Sequence, residues 1–537
     1  MVKKALIHVE NSDNLVELAS FLVELGWTIY SANKTEEILK DNNIPVTTEH
    51  ILSEQNIYGH ETAQLINEIH STRLSQETDQ NLSTNSGSGG IFLLCLNIIP
   101  ETTPISTEIS YQKKSIPSSL QVSVILRDSF LNYQNIIILT DPDDYKEAMI
   151  QLRTGNVTSE FRSYLAAKAL NMISAYDAGL SHALLQDNNY KEEFMNYLSF
   201  PLVKASELKH GSNKQQKAVL YRMPTTAANS TFYSELLYND FDYNNISDLS
   251  SIWDEITFLY QTLKNQYSVK SVTRDGYNFT TQFTPITGTV FTIAVKYNTI
   301  IGAALSTNAL DSFKNTYAYG NTISGVSLGC SSVVDKITAE EMVKCNFLAI
   351  VAPDFTDEAR EVFAQNKNTK LVAASKFSGP KRELRMVNNV VLFQEIDSSV
   401  FEEWQIKTNE RPSQYIVDEM AFGMILAMKA KSHCVILLKN NTITGIGQSC
   451  LTPKKAIDYA LMEAKEKLTN NTNTGTIADL LVCDSTIGLS DSIKELVENG
   501  LSAIIQTGGD STDDEFINYC NEHGIVMIFT NMNHITI

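Results

Sequence analysis

The chain has 537 residues, which is too long for a single hydrophobic core and predicts two to four domains. Its formal net charge of −20 disfavours nonspecific binding to nucleic acid or anionic membranes, although a local cluster of donors could still bind a small anion. Its apolar runs are shorter than the roughly 18 residues that a membrane-spanning helix needs. Seven scattered cysteines without a CxxC pair argue against disulfides and zinc, and favour a cytoplasmic protein.

The first segment alternates strand and helix patterns. KKALIHV (3–9) and WTIYSA (27–32) predict strands, and the stretch between them predicts a helix that ends at Gly26. Two later apolar runs, IFLLCLNII and NIIILT, are typical of buried parallel strands. The pattern therefore predicts an α/β fold with a parallel sheet. The polar stretch at 74–90 predicts a mobile loop.

A long helical pattern leads to a predicted domain boundary near residue 200. Beyond it, strands such as FTIAVKY, CVILLKNN and DLLVCD again alternate with helices, without a tandem repeat of fixed period. The chain is therefore predicted to form two α/β regions, 1–198 and 199–537.

A few local features suggest chemistry, each with a simpler structural alternative. Ser31 and Thr35 lie at a strand-to-helix junction and could bind a phosphate or cap the helix. Gly508 and Gly509 would allow a ligand to approach the backbone closely. His433 stands between a long helix and a strand, where a histidine is more often structural. Walker A, GxGxxG, GxSxG and HExxH motifs are absent from the sequence, so local motifs assign no activity.

Lys296 interrupts the apolar run TIAVKYNTIIG. A charge in a buried strand must be paired or used. The alternative is a lysine at a strand end, with its stem packed and its ammonium group in water. The run alone does not decide between these readings.

The order of many segments resembles one family, the bifunctional AICAR transformylase/IMP cyclohydrolase of purine biosynthesis. The resemblance rests on segments spread over nearly the whole chain, among them SANKTEEILKDNNIPV, RDSFLNYQNIIILTDPDDY, LKHGSNKQQKAVLY, IAVKYNTIIGAAL, KAKSHCVILLKNNTITGIG and AIIQTGGDSTDDE. It implies a methylglyoxal-synthase-like domain at 1–198 and two cytidine-deaminase-like units at 199–537. It also implies a homodimer that formylates AICAR with 10-formyltetrahydrofolate and then closes the product to IMP.

The resemblance also shows where this chain departs from the family. Tyr297 replaces the histidine that accepts a proton from the attacking amine, and a phenol is a poor base at neutral pH. His433 replaces an asparagine, and the loop SDAFFPFRD is CDSTIGLSD here, which keeps Asp484 and Asp491 but loses the aromatic rings. The glycine-containing phosphate loop of the cyclohydrolase has become SANKT, with Asn33 and Lys34 in the glycine positions.

The candidate site residues are therefore those that stand where the family has catalytic or substrate-binding residues, whether or not this chain keeps the family's residue type. The catalytic candidates are Lys296, Tyr297, His433 and Asp491; the substrate-binding candidates are Lys209, His210, Asn245, Gly508, Gly509, Asn533, Ser31 and Thr35. No metal site is predicted.

Because apolar segments match the family and polar site residues do not, the first hypothesis is a pseudoenzyme-like homologue. Such a protein would have weak or lost activities and an altered nucleotide-binding or regulatory role. The alternative is an active, divergent transformylase that uses Lys296 and His433. A third hypothesis makes the chain a structural partner or regulator of an active copy.

Overall fold

The structure is a computed structural model that describes residues 3–49, 65–69, 91–98, 118–186, 194–223, 241–264, 268–272, 278–282, 289–317, 323–365, 369–374, 382–400, 404–470 and 476–537. The loop predicted at 74–90 lies outside the described residues. The chain divides into two compact units, which consist of Met1–Ser206 with Leu220–Asn229 and of Glu207–Val219 with Ser230–Ile537.

The first unit contains a parallel five-stranded sheet with the order β3-β2-β1-β4-β5. Its strands are β1 (Lys4–His8), β2 (Thr28–Ser31), β3 (Thr47–Thr48), β4 (Ile91–Leu96) and β5 (Ile137–Leu139). Its helices are α1 (Leu15–Glu24), α2 (Asn33–Asp41), α3 (65–69), α4 (Ser118–Ser129), α5 (Tyr145–Thr154) and α6 (Ser159–Gln186). These bounds confirm the predicted α/β pattern.

Both faces of this sheet are covered. Ala5 and Ile7 belong to the core on one face and Leu6 to the core on the other, because successive side chains of a strand point to opposite faces. This double burial explains the continuous apolar runs in the sequence. Gly26 takes a φ of 77° just after α1, a left-handed conformation that glycine adopts without steric cost, so the helix stops where the sequence predicts.

The second unit contains an eleven-stranded sheet with the order β14-β13-β12-β10-β11-β19-β18-β20-β21-β22-β17. The strands of this sheet are β10 (Val290–Lys296), β11 (Thr299–Ser306), β12 (Val326–Cys330), β13 (Phe347–Ala352), β14 (Lys370–Ala373), β17 (Gln405–Ile406), β18 (Val435–Lys439), β19 (Thr442–Gly447), β20 (Leu480–Cys483), β21 (Ala503–Gln506) and β22 (Val526–Phe529). Three two-stranded sheets are formed by β6 (Val203–Leu208) with β7 (Ala218–Arg222), β8 (Ser268–Val272) with β9 (Asn278–Gln282), and β15 (Arg382–Val387) with β16 (Val390–Glu395).

The helices of the second unit complete two similar halves. They are α7 (Tyr243–Lys264), α8 (Ala309–Tyr317), α9 (Lys336–Met342), α10 (Asp357–Ala364), α11 (Gln414–Lys429), α12 (Pro453–Asn470), α13 (Asp491–Glu498) and α14 (Asp513–Glu522). In each half a helix leads into a hairpin, and three helix–strand pairs follow. The two hairpins meet at the centre of the sheet, where β11 pairs with β19.

The duplication extends to the sequence of the hairpins. KYNTIIG at 296–302 corresponds to KNNTITG at 439–445. The sequence shows no repeat of fixed period because insertions between the elements hide the correspondence. Among the described residues, no helix is both long and apolar enough to span a membrane.

Candidate functional site

Most candidate residues of the second unit lie along one edge of the eleven-stranded sheet. Lys296 ends β10, His433 precedes β18, and Asp484 follows β20 directly. His433 and Asp484 share an edge because β18 runs antiparallel to both β19 and β20, with Val435 opposite Gly447 and Cys483. Lys296 lies at the same edge because β10 with β11 and β11 with β19 are also antiparallel pairs. Gly508 and Asn533 follow β21 and β22 at the same edge, since those strands run parallel to β20. We call this row of residues the site edge.

Lys296 and His433 are separated along the site edge. Their strands β10 and β18 are three positions apart in the sheet. At a strand spacing of about 4.8 Å this corresponds to roughly 14 Å. The side chains of Lys296 and His433 are therefore not in direct contact. Asp491 is exposed in the first turn of α13, where it follows the N-cap residue Ser490.

The ammonium group of Lys296 is paired. Its Nζ donates a hydrogen bond to the carbonyl oxygen of Ser324 at 2.7 Å and lies 5.4 Å from the centroid of the Tyr297 ring. Lys439, the corresponding residue of the second hairpin, donates in the same way to the carbonyl oxygen of Thr476 at 2.9 Å. Lys296 thus lies at the end of its strand, and its ammonium group is paired with a backbone carbonyl oxygen.

Tyr297 and Asn298 form the tight turn between β10 and β11. Both have φ of 54°, as a two-residue turn of type I′ requires. The carboxylate of Asp248 accepts hydrogen bonds from the Tyr297 amide at 3.1 Å and from the Asn298 amide at 2.6 Å. Burial raises the pKa of Asp248, and the two amides oppose that shift. The Tyr297 side chain is 65% exposed and lies outside the core.

His210 and Asn245 lie at the start of α7, which also carries Asp248. The Asn245 amide donates to the Asp242 carboxylate at 2.9 Å, and Asn245 Oδ1 accepts from the Asp242 amide at 3.5 Å. This reciprocal arrangement caps the helix, so the Asn245 side chain has a structural task. His210 Nε2 is 3.8 Å from Asp242 Oδ2, and Lys209 is exposed. The rise of α7 separates Asp242 from Asp248 by about 9 Å.

His433 belongs to a hydrogen-bonded chain of side chains. Its Nδ1 is 3.0 Å from Ser485 Oγ, which is 2.9 Å from Asp484 Oδ1. Asp484 is fully buried, and its Oδ2 accepts from Ser432 Oγ at 2.5 Å and from the Cys434 amide at 3.0 Å. The sequence pattern points to His433 but not to Ser485, because the two residues are 52 positions apart.

The turn at Gly508 and Gly509, which we call the glycine turn, is occupied by a side chain of the chain itself. The amides of Gly509 and Asp510 donate to Asp513 Oδ2 at 2.7 and 3.0 Å, so a carboxylate of the chain itself occupies these donors. Gly508 has φ of 80°, and a Cβ atom there would lie 2.2 Å from the Phe529 ring. Packing therefore explains this glycine. Asn533 is exposed.

His534, next to Asn533, was missed by the sequence analysis. It is buried, and its Nδ1 lies 2.7 Å from Asp397 Oδ2. Burial would raise the pKa of Asp397, but the hydrogen bond with His534 and its charge lower that pKa overall. No local motif signals this pair, since the two residues are 137 positions apart.

In the first unit, Ser31 and Thr35 have different environments. Thr35 Oγ1 accepts from the Val9 amide at 3.0 Å and donates to the Val9 carbonyl oxygen at 3.1 Å, which links α2 to the end of β1. Ser31 is fully buried, and its Oγ has no hydrogen-bond partner among the described residues. Asn33 has φ of 55°, so asparagine takes a left-handed conformation where the family has glycine.

His8 ends β1, one residue after Ile7, which pairs with Ser31 at the carboxyl end of the parallel strands. It is buried and makes a hydrogen bond with the backbone of Ala32, and burial lowers its pKa. Its Nδ1 has no partner in the described part of the chain. Because Ser31 pairs with Ile7 and successive side chains alternate, Ser31 and His8 lie on opposite faces of the sheet. Ser31 is the residue next to the N-terminus of α2, where a helix dipole attracts anions.

Two compact α/β units, one with a parallel sheet and one with a duplicated sheet, each place candidate residues at one edge of the sheet. These features define a two-unit α/β protein with a separate candidate site in each unit. A family model described as AICARFT/IMPCHase bienzyme matches residues 131–462, and the chain belongs to this family.

Curated relatives extend the match over nearly the whole chain. The chain is 29% identical to the bifunctional purine biosynthesis protein PurH of Clostridium acetobutylicum, 28% to that of Clostridium perfringens and 27% to that of Brachyspira hyodysenteriae. Each match covers 99% of both chains. The resemblance inferred from the sequence is confirmed.

Proposed function

We propose that this chain is a divergent family member that binds an anionic purine nucleotide and has weak or lost transformylase and cyclohydrolase activities. The proposal assigns 1–198 to a cyclohydrolase-like domain and 199–537 to a transformylase-like region. It also includes the homodimer that the family forms. Such a protein would act through ligand binding or regulation.

The observation that carries this proposal is the environment of Tyr297. The family places its proton-accepting histidine at this position, whereas this chain has an exposed tyrosine in a turn that Asp248 holds by its backbone. A phenol is a poor base near neutral pH. Lys296 is paired with the carbonyl oxygen of Ser324. The groups that carry the family reaction are therefore replaced or engaged elsewhere.

Nucleotide binding is supported by the first unit. The orphan hydroxyl of Ser31 lies just before the N-terminus of α2, where the helix dipole favours a phosphate. We expect weak or no binding of 10-formyltetrahydrofolate, because the aromatic rings of the family loop are Thr486, Ile487 and Leu489 here.

The alternative is an active, divergent transformylase that uses Lys296 and His433. One observation favours it, namely the hydrogen-bonded connection from Asp484 through Ser485 to His433. A histidine oriented in this way is a suitable general base. The roughly 14 Å between the two strands means that substrate would have to lie between Lys296 and His433.

The deciding experiment combines an assay with calorimetry. The purified chain is incubated with AICAR and 10-formyltetrahydrofolate, and AICAR and IMP are titrated separately. We expect turnover far below about 1 per second, together with binding of at least one nucleotide. A Ser31→Val variant should lose nucleotide binding in the first unit, whereas the matched Ser129→Val variant, whose hydroxyl donates to the Ile125 carbonyl oxygen within α4, should not. Turnover at ordinary enzyme rates would overturn the proposal in favour of the alternative.

A further inference from the structure

We infer that Asp484 and Ser485 hold His433 in the tautomer protonated at Nδ1, so that Nε2 is a fixed hydrogen-bond acceptor for an N–H or O–H group of the ligand. This inference deepens the alternative function above. Its first test, however, depends on neither proposed activity.

The Asp484 carboxylate is the buried end of the hydrogen-bonded chain. An ionised carboxylate only accepts hydrogen bonds. Asp484 is fully buried, and its side-chain partners are the Ser432 hydroxyl, the Cys434 amide, the Ser485 hydroxyl at 2.9 Å and, at the longer distance of 3.9 Å, the Cys483 thiol. A buried carboxylate needs such donors, because burial without them is strongly unfavourable. The Ser485 proton is therefore committed to Asp484 Oδ1.

The hydrogen bond that Ser485 donates to Asp484 determines which nitrogen of the His433 ring is protonated. A hydroxyl group has one proton, so Ser485 Oγ can offer only lone pairs to the imidazole at 3.0 Å. Nδ1 must then carry the proton, and in the neutral ring Nε2 is the acceptor. In the described part of the chain Nε2 has no hydrogen-bond partner, and the residue is only half-buried. A ligand at the site edge can thus donate to it.

Both ends of the contact differ from the family pattern. The resemblance places asparagine at position 433 and alanine at position 485. Alanine cannot orient an imidazole, and asparagine offers a donor as well as an acceptor. The two replacements meet in the fold although 52 positions separate them. Together, the two replacements put a histidine nitrogen that only accepts hydrogen bonds where the family has an amide that both donates and accepts. Such a site would select a ligand with a donor group.

The first test is nitrogen NMR of the protein labelled with ¹⁵N-histidine. The His433→Asn variant assigns the resonance by its loss. We expect the wild-type ring to be protonated at Nδ1 and unprotonated at Nε2 at a pH where it is neutral. We expect Ser485→Ala to mix the tautomers and Ser485→Thr to restore the wild-type signal. Protonation of His433 at Nε2 in the wild type would overturn the inference.

The second test measures binding of AICAR, which carries an amine and a carboxamide. Calorimetry should show about a tenfold weaker affinity for Ser485→Ala and for His433→Ala, with no further loss in the double variant. The control is Ser492→Ala, whose hydroxyl bonds Asp458 on the surface, and it should bind as wild type does. Additive losses in the double variant would contradict the inference. If the wild type binds neither AICAR nor IMP, the proposed function fails, while the NMR result still decides the tautomer.

Discussion

The Asp248 carboxylate and the Asn298 amide are joined by a hydrogen bond of 2.6 Å across 50 positions of sequence. Together with the bond to Tyr297, this contact fixes the turn of the first hairpin against α7. The second half repeats the device, since Glu419 on α11 accepts from the Asn441 amide at 2.5 Å. A helix carboxylate that holds a hairpin turn is thus a structural element of both halves.

Asp248→Ala should destabilise the second unit by about 2–3 kcal/mol, because two amides lose a buried, charged acceptor. Asp248→Asn is the matched control and should cost less, since its carbonyl oxygen can still accept from one amide. Thermal and urea unfolding of the two variants would measure the difference. Equal stability of Asp248→Ala and wild type would show that water replaces the carboxylate.

Lys296→Met and Lys439→Met form a matched pair, because both lysines donate to a backbone carbonyl oxygen from the end of a hairpin strand. We expect similar losses of stability, below about 1 kcal/mol, since both contacts are exposed. We also expect unchanged AICAR affinity in both variants by calorimetry. A selective loss of affinity or turnover in Lys296→Met would instead support the active alternative.

Stability should depend on pH through Glu255. Burial raises its pKa to about 8, while nearby Lys429 acts in the opposite direction and Asp254 adds to the rise. Because the folded-state pKa exceeds the unfolded value of about 4.3, the folded protein holds the proton more tightly. Its stabilising contribution is full below pH 4.3 and is lost as pH rises through 8.

Glu255→Gln tests this dependence with a side chain of similar shape that does not titrate. Unfolding free energies measured between pH 5 and pH 8 should fall in the wild type and change less in the variant. Parallel curves for the two proteins would assign the pH dependence to other groups.

Gly508→Ala and Gly509→Ala separate steric conflict from backbone conformation. Both glycines have positive φ, which costs other residues about 1–2 kcal/mol. A Cβ at Gly508 would also lie 2.2 Å from the Phe529 ring, whereas a Cβ at Gly509 meets nothing within 4 Å. We therefore expect the larger loss of melting temperature for Gly508→Ala. Equal losses would mean that the Phe529 ring moves aside freely.

Tyr297→His restores the family residue at one position and should not restore transformylase turnover. The turn is held by backbone bonds that a histidine would keep, but His433 and the loop after β20 still differ from the family. The formylation assay measures this directly, with Tyr297→Phe as the control for the change of ring. Turnover gained by Tyr297→His alone would refute the view that the site has been extensively dismantled.

The α/β class, most strands and the family could be predicted from the amino-acid sequence alone. Runs such as IFLLCL and helices with 3.6-residue spacing report burial of one short segment, and that property is local. The replacements at Tyr297, His433 and Asn33 were also visible in the sequence, because they occur within recognisable segments.

The contacts of those residues became known from the fold. It showed that Lys296 is paired, that Asn245 caps α7 and that Asp513 fills the glycine turn. It also joined His433 to Ser485 and revealed the two matching halves of the second unit. The physical reason is that a hydrogen bond depends on distances of about 3 Å between groups that the chain brings together only after the sheet has formed.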